Sequence, residues 1–504
     1  MTDIIITTLN ARYFHASLGL RYLLANMGEL EARTRLVEYI IDARPSDIVE
    51  SLLREDTRII GLGVYIWNVE VSTQIVALIK QVRPDIVVVV GGPEVSYEQE
   101  AQDICRLADY VIAGPGDLAF AALCRQVLAG ERPPQKIIAA AQPRLSELKL
   151  PYGYYNDEDV AHRFIYVEAS RGCPYKCEFC LSALDKTAWP FELARFLKEM
   201  DQLHRRGVRH FKFVDRTFNL KIDTSVRILE FFLERLDEKL FLHFELIPDH
   251  LPERLQEIIL RFPPGSLQFE IGLQSFNPEV QARISRRQDN DKAEHNIRWL
   301  RRETQAHLHT DLIAGLPGED LASFGAGFDR LVALEPHEIQ VGILKRLRGA
   351  PIDRHTAGHA MRYNPYPPYS ILATDRLDFA TVQRLNRYAR YWDLIGNSGR
   401  FRLSRPALLG DAPFARFMAL SDWLYSETGK THQIALDKLF ELVYRGMVDR
   451  LGIAPAAAAA TLGADYANSG GRAELSFIIP AVRDRSAVGA RTGGPQRQRR
   501  HLGA

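Results

Sequence analysis

Cys173, Cys177 and Cys180 place three of the chain's five cysteines within eight residues, in the run Ser170-Arg171-Gly172-Cys173-Pro174-Tyr175-Lys176-Cys177-Glu178-Phe179-Cys180. That density constrains the local fold more than any other feature. Cysteines that serve only as small buried hydrophobes scatter along a sequence. Thiolates are soft ligands for iron–sulfur clusters, zinc or copper, and two short spacers let one loop wrap three sulfurs around a single inorganic centre. Three ligands leave a shell incomplete. A structural zinc site wants a fourth ligand, and the next histidine or cysteine after Cys180 is His204, too far on for a compact knuckle. A cubane held by three cysteines leaves one iron open to a small chelating ligand. A zinc knuckle and three buried thiols are the competing readings of these residues.

The spacing Cys173-x-x-x-Cys177-x-x-Cys180, with Phe179 just before the last cysteine, resembles the cluster loop of the radical S-adenosylmethionine (SAM) superfamily. The resemblance implies a four-iron four-sulfur cluster whose open iron takes the amino and carboxylate groups of SAM. It implies that an electron from the cluster cleaves SAM to a 5′-deoxyadenosyl radical, and that a donor such as flavodoxin or ferredoxin supplies that electron.

At 504 residues the chain is too long for one ordinary core, so two or three domains are expected. Apolar residues at 46%, charged residues at 25% and a net charge of +1 are those of a soluble globular protein and argue against general nucleic-acid or membrane-surface binding. Met1 to Leu9 lacks a basic leader and a small-residue cleavage site, so it reads as a first strand. No apolar stretch approaches the ~20 residues of a membrane helix. Reduced clustered thiols with only Cys105 and Cys124 besides, both read as packing residues, fit a cytoplasmic protein.

Strand-like and helix-like runs alternate from residue 3 to 113. Asp3 to Thr8, Arg35 to Ile41, Ile59 to Tyr65, Ile86 to Val90 and Tyr110 to Ala113 read as strands, and Ser17 to Met27 and Val71 to Val82 as helices. This pattern predicts a doubly wound parallel sheet that binds ligands at the carboxyl ends of its strands. The turn residues gather there: Asn10 to His15, Tyr65-Ile66-Trp67-Asn68, Gly91-Gly92-Pro93-Glu94 and Gly114-Pro115-Gly116-Asp117. Four such loops ahead of the cysteine loop resemble the cobalamin-binding domain of many radical SAM proteins. The resemblance covers residues 1–140 and implies that Asn10, Tyr65, Asn68, Gly91, Gly92 and Gly114 line a cobalamin crevice. The Asp-x-His-x-x-Gly motif that gives cobalt a histidine is missing, and His15 is out of its spacing. The lower face of cobalt is therefore expected without a histidine of that motif.

Gly130 to Glu158 is rich in proline and reads as loop, with an interdomain linker at 141–160. Six further strands, Arg163 to Glu168, His210 to Val214, Leu240 to Leu246, Leu267 to Ile271, His307 to Ala314 and Glu338 to Leu344, predict a partial (β/α)6 barrel over 161–355. Barrels of this kind gather their chemistry at the carboxyl strand ends. Asp215, Arg216 and Asn219 end the second strand, Glu245 the third, and Glu270 with Gly272-Leu273-Gln274-Ser275 the fourth. The fifth ends in Asp311-Leu312-Ile313-Ala314-Gly315, which resembles the superfamily's Gly-x-Ile-x-Gly motif with Asp311 in place of its first glycine. The resemblance implies SAM contacts from Phe179, Asp215, Arg216, Asn219, Glu245, Glu270, Gln274, Ser275 and Gly315. An ion pair inside the barrel is the competing role for each acidic residue.

Lys345-Arg346-Leu347-Arg348-Gly349 is a basic turn that either meets an anionic group or is solvated. Pro365 to Tyr369 reads as a stiff connector, and Phe379 to Ile395, Phe414 to Thr428 and Gln433 to Val448 as helices of a C-terminal domain over 356–454, with Tyr388, Tyr391 and Trp392 in its core. Residues 455–504 read as a low-complexity segment with one short strand, Leu475 to Ile479, and a disordered basic tail. The whole resembles an uncharacterised bacterial branch of cobalamin-binding radical SAM proteins. What that implies is methyl transfer to an unactivated carbon, or to phosphorus, with radical rearrangement, oxidation or a non-enzymatic cluster- and cobalamin-binding role as alternatives. Methylthiolation would need three further N-terminal cysteines, and only Cys105 and Cys124 precede the loop.

Overall fold

Short β-branched runs separated by amphipathic helices fold the first 140 residues into one parallel sheet. In the computed structural model, which describes residues 2–185, 187–471, 473–477 and 495–502, its strands are β1 (Ile4–Asn10), β2 (Thr34–Ile40), β3 (Ile59–Gly63), β4 (Val87–Gly91), β5 (Tyr110–Ala113) and β6 (Ile137–Ala139). Their order is β2-β1-β3-β4-β5-β6, and every pairing is parallel. Helices cover both faces, so alternate residues of one strand enter two cores. Val88 and Val90 pack with Ile75 and Ile79 of the helix Val69–Val82, while Val87 and Val89 pack with Leu20, Phe120 and Val127 on the other side. Each such fully buried side chain contributes roughly 1.5–3 kcal/mol relative to exposure. Strand β6 lay inside the stretch expected to be loop. It is a three-residue edge strand with an exposed-intermediate-exposed pattern, too short and too wet to leave an apolar run.

The chain divides into two compact units. The first is Met1–Arg216 with Lys345–Asp353 and Asn364–Tyr369; the second is Thr217–Leu344 with Arg354–Tyr363 and Ser370–Ala504.

Within the first unit, the expected linker is a docked strap. It carries a 3-10 turn at Tyr152–Tyr154 and a helix at Asp157–His162 capped by Asn156, and Tyr152 and Tyr155 are fully buried. Tyr155 donates to the Tyr166 carbonyl at 2.8 Å. The strap leads into β7 (Ile165–Val167). Two short strands follow, β8 (Ser170–Arg171) and β9 (Trp189–Pro190), paired antiparallel. The helix Leu193–Arg205 then leads to β10 (His210–Phe213), which pairs parallel with β7.

The second unit contains β11 (Phe241–Leu246), β12 (Leu267–Gln274), β13 (His307–Ala314) and β14 (Glu338–Ile343), parallel in that order. Of the six strands expected after residue 160, these four belong to the second unit and β7 and β10 to the first. A small antiparallel pair follows, β15 (Arg362–Tyr363) and β16 (Ile371–Ala373). The helices Phe379–Ile395, Pro413–Thr428 and Leu436–Arg445 then form the helical C-terminal region. Tyr388, Tyr391 and Trp392 are buried as expected, and Trp392 meets Phe328 edge-on with centroids 4.9 Å apart. Leu475–Phe477 form no strand, and Ile478 and Ile479 lie outside the described residues. Where the sequence predicts a disordered tail, Gln496–Leu502 is a helix, and Arg497 pairs with Glu338 at 2.8 Å and Asp393 at 2.7 Å. Among the described residues no helix is long and apolar enough to cross a membrane.

Candidate functional site

The three-cysteine loop is a closed excursion between β8 and β9. Arg171 pairs with Trp189 across this stem, so both ends of the loop are pinned. Gly172, at φ +89°, has no alternative: a Cβ there would stand 2.2 Å from the Thr187 carbonyl oxygen. The Cys173 amide donates to the Asp185 carbonyl at 3.2 Å and the Cys180 amide to that of Cys177 at 3.1 Å. Cys173 and Cys177 are buried, and Cys180 and Phe179 half-buried. Burial pushes the Cys173 thiol up, and the neighbouring Cys180 and Cys177 push the same way, while the Tyr175 amide and Arg216 pull it down. Among the described residues no three His, Cys, Asp or Glu side chains converge as ligands of one metal ion. A zinc knuckle needs its sulfurs about 2.3 Å from a common point, whereas a cubane takes its ligands at separate corners.

Asp215 is committed to the root of this loop. Its carboxylate accepts the Ala169 amide at 3.0 Å and the Ser170 hydroxyl at 2.6 Å, and burial pushes it up to about 7 against those donors. It anchors the cysteine loop to the end of β10. Beside it, Arg171 binds Asp117 through both Nη atoms at 3.0 Å and Glu168 through Nε at 2.8 Å.

In the second unit, Asn219 holds the end of β11. Its amide nitrogen donates to the Ile247 and His250 carbonyls and its oxygen accepts the Ile247 amide. Glu245 and Glu270 are partners in the β11–β12 register and therefore share one face. Glu270 lies 3.0 Å from His243 Nε2. The next strand adds His309, opposite Glu270, and Asp311, opposite Gly272. Burial works against the charge on His309, but Asp311 at 3.3 Å and Glu338 at 3.6 Å hold its pKa at about 10. The register slips at Gly272–Gln274. Gln274 sits there at φ +69°, and its buried amide oxygen has no hydrogen-bond partner. Strain and an orphaned acceptor at a strand end are marks of a ligand contact. Ser275 donates to Glu319 at 2.5 Å, and burial pushes Glu319 up to about 7. Gly315 turns at φ +91° against Ile371.

Strand order 2-1-3 puts the topological switch point of the N-terminal sheet between β1 and β3. Its polar residues face inward. Asn10 donates to the His15 carbonyl and to Glu38, both at 2.9 Å; Asn68 accepts the Tyr65 amide and donates to the Leu9 carbonyl. A Cβ on Gly92 would stand 2.5 Å from the Val64 carbonyl oxygen, so that glycine serves the close approach of two loops. Ser96 ties two of the turns, donating to the Gly92 carbonyl at 2.8 Å and accepting the Gly114 amide at 3.0 Å. Gly91 meets only ordinary contacts. Tyr65 stacks on Trp67 with centroids 4.5 Å and planes 7° apart, and Trp67 is 44% exposed. The two arginines of the basic turn are paired within the protein, while Lys345 is exposed: Arg348 binds Glu94 at 3.0 Å and Glu98 at 2.9 Å, Arg346 binds Glu98 at 2.9 Å, and Tyr369 donates to Glu94 at 2.7 Å.

Comparison with known proteins agrees with this architecture. Residues 4–124 match the B12 binding domain and residues 167–330 the Radical SAM superfamily. The chain thus carries a B12-binding domain followed by a radical SAM domain. Residues 357–485 match a family described as a protein of unknown function. Among curated relatives, the uncharacterized methyltransferase PH0819 of Pyrococcus horikoshii is 29% identical over 240 residues, 42% of this chain and 52% of that one. TokK of Streptomyces tokunonensis, a cobalamin-dependent radical SAM methyltransferase, is 25% identical over 337 residues, 58% and 48% of the two chains. The chain thus spans about half the length of these relatives. The solved structure of OxsB with aqua-cobalamin bound has the same fold, at TM-score 0.62 and 14% identity over 93% of this chain and 84% of that one.

The cofactors of a B12-binding radical SAM protein are a four-iron four-sulfur cluster, SAM and cobalamin. Its residues fit them: a stapled loop presents three thiols, Gln274 leaves a buried acceptor unpaired, and Trp67 beside the switch point is part-exposed with Tyr65 stacked on it. Sequence reading missed His243, His309, Asp117 and Arg171. The signal for the strand pair was the His307-x-His309-x-Asp311 alternation, which puts polar groups on one face of a strand.

Cobalamin in this protein is expected to carry no protein histidine on cobalt. His15 Nδ1 lies 2.5 Å from the Tyr166 hydroxyl, and burial and Lys212 hold its pKa down. The check is electron paramagnetic resonance of the cobalt(II) form. Nitrogen splitting that persists with base-free cobinamide and disappears in His15→Ala would overturn this.

Proposed function

We propose that the protein transfers a methyl group to an unactivated carbon of a substrate held at the barrel's strand ends. The observation that carries this reading is that one compact unit holds both the three-cysteine loop and the cobalamin-type crevice. Curated relatives named as methyltransferases support it. When bound, the cluster supplies an electron to SAM and cobalamin carries the methyl group. Cys173, Cys177 and Cys180 hold the cluster, and Asp215 with Ser170 fixes the root of their loop. Gln274 and the turn at Gly315 bind SAM. A flavodoxin or ferredoxin serves as the electron donor.

Anaerobic protein reconstituted with iron, sulfide and cobalamin, given methyl-deuterated SAM, a strong reductant and a small-molecule extract, is expected to yield a product heavier by one labelled methyl group, together with consumed SAM. A product of unchanged mass would assign rearrangement instead, and one lighter by hydrogen would assign oxidation. No SAM consumption above a cluster-free control would leave a binding module.

A further inference from the structure

Arg171 occupies an unusual place. It is two residues before Cys173, on the first strand of the stem that closes the cysteine loop. Its partner Asp117 ends the Gly114-Pro115-Gly116-Asp117 turn after β5, at the carboxyl edge of the B12-binding sheet. We infer that the forked pairing of Arg171 with Asp117 is the positioning device that fixes this cobalamin-side turn against the cluster loop and so sets the separation of the two cofactors. The inference rests on the proposed function.

The geometry leaves the guanidinium no second orientation. Both Nη atoms meet the two Asp117 oxygens at 3.0 Å, and Nε meets Glu168 at 2.8 Å. Tyr22 covers the guanidinium at 4.4 Å from its ring centroid, and Phe191 flanks it at 5.8 Å. The Arg171 side chain is 17% exposed and that of Asp117 9%. A planar fork on a carboxylate fixes direction as well as distance, which an apolar contact of the same area does not. Stability alone would not require it. The strap and the B12-binding sheet are already joined by Arg21 and Asp159 at 2.7 Å and by buried Tyr155. A buried ion pair adds little net stability over apolar packing, so a role in alignment accounts for the pair better than one in folding. Two rigid attachments then meet at one side chain: Asp117 follows a sheet strand, and Arg171 continues through Gly172 into the first cluster ligand.

The test uses the full chain with Asp117→Asn and Arg171→Lys. Neither substitution touches a cysteine, so both variants are expected to bind iron and cobalamin at wild-type stoichiometry. Pulsed electron paramagnetic resonance of the reduced cluster against cobalt(II) should show the sharp wild-type distance distribution broadened or shifted in both. Amide exchange in cofactor-free protein should quicken over residues 169–180 and stay unchanged over 241–246. Single-turnover methyl transfer is expected to fall about 100-fold, the order that a misplacement of about 1 Å produces, with cofactors retained. Arg171→Lys keeps the buried charge but cannot form the fork, so it decides the matter if Asp117→Asn fails to fold. Wild-type coupling and exchange in the decisive variant would overturn the clamp alone. A wild type that takes up only one of the two cofactors would overturn both the clamp and the reading beneath it.

Discussion

Anaerobic protein in which Cys173, Cys177 or Cys180 is replaced by alanine is expected to lose its cluster iron and to consume SAM no faster than a cluster-free control. With three thiolates and one open corner, the cluster has no spare protein ligand, so loss of any one removes a quarter of the shell and the attachment that shields it. No other thiol stands in. Cys105 and Cys124 are buried in the two cores of the N-terminal sheet, where burial pushes their thiols up to about 11 and about 12. Packed inside those cores, neither sulfur is placed to take over a corner of the cluster. Cys105→Ala and Cys124→Ala are therefore the controls, expected to keep full iron and SAM consumption with only the cost of a small cavity. Iron content in the triple cysteine variant equal to wild type would sink the assignment. Iron lost equally from the Cys124→Ala control would point to a folding defect instead.

Much of this was legible because the sequence elements are locally consistent. β5 and β13 fall on the residues that hydrophobic patterning marks, Tyr110–Ala113 and His307–Ala314, and the cysteine loop announces itself by spacing. What patterning cannot show is where a polar side chain turns. Asn10, Asn68 and Asp215 stand at strand ends where ligands gather, yet each makes hydrogen bonds to the surrounding protein, Asn10 to Glu38, Asn68 to the Leu9 carbonyl and Asp215 to the Ala169 amide and the Ser170 hydroxyl. The sequence places a residue at an edge, and only the fold decides whether that edge faces inward. The Arg171–Asp117 fork joins residues 54 positions apart, and Arg348 reaches Glu94 across 254. Pairings of that range leave no local trace. The C-terminal helix escaped for the same reason. A basic run without apolar anchors reads as disordered until Asp393 and Glu338 are known to receive Arg497.

Arg21→Ala is expected to destabilise the first unit by about 3–5 kcal/mol, the cost of leaving buried carboxylates without their cation. Arg21 is 2% exposed. One of its nitrogens meets Glu38 at 2.9 Å and Asp159 at 2.7 Å, and its guanidinium lies 4.5 Å from the Tyr155 ring centroid. Arg163 completes a neutral set of two cations and two anions, reaching Glu38 at 3.2 Å and Asp159 at 3.4 Å. Native-state amide exchange over residues 152–163 reads the loss, since that strap depends on Asp159. The dependence on pH has a definite sign. Burial alone would raise the Glu38 carboxyl, but Arg21 and the hydrogen bonds from Asn10 and Ser17 outweigh it and hold its pKa below 4.5. A carboxyl lowered on folding contributes stability above its unfolded value, and that contribution drains away as pH falls through the lower folded one. Without Arg21, burial prevails and Glu38 rises instead, so the penalty of the variant is full at neutral pH and shrinks on acidification as Glu38 takes up its proton. A loss below about 1 kcal/mol, the range of solvent-exposed pairs, or a penalty that grows as pH falls below 4.5, would show that the strap is held by its tyrosines and not by charge.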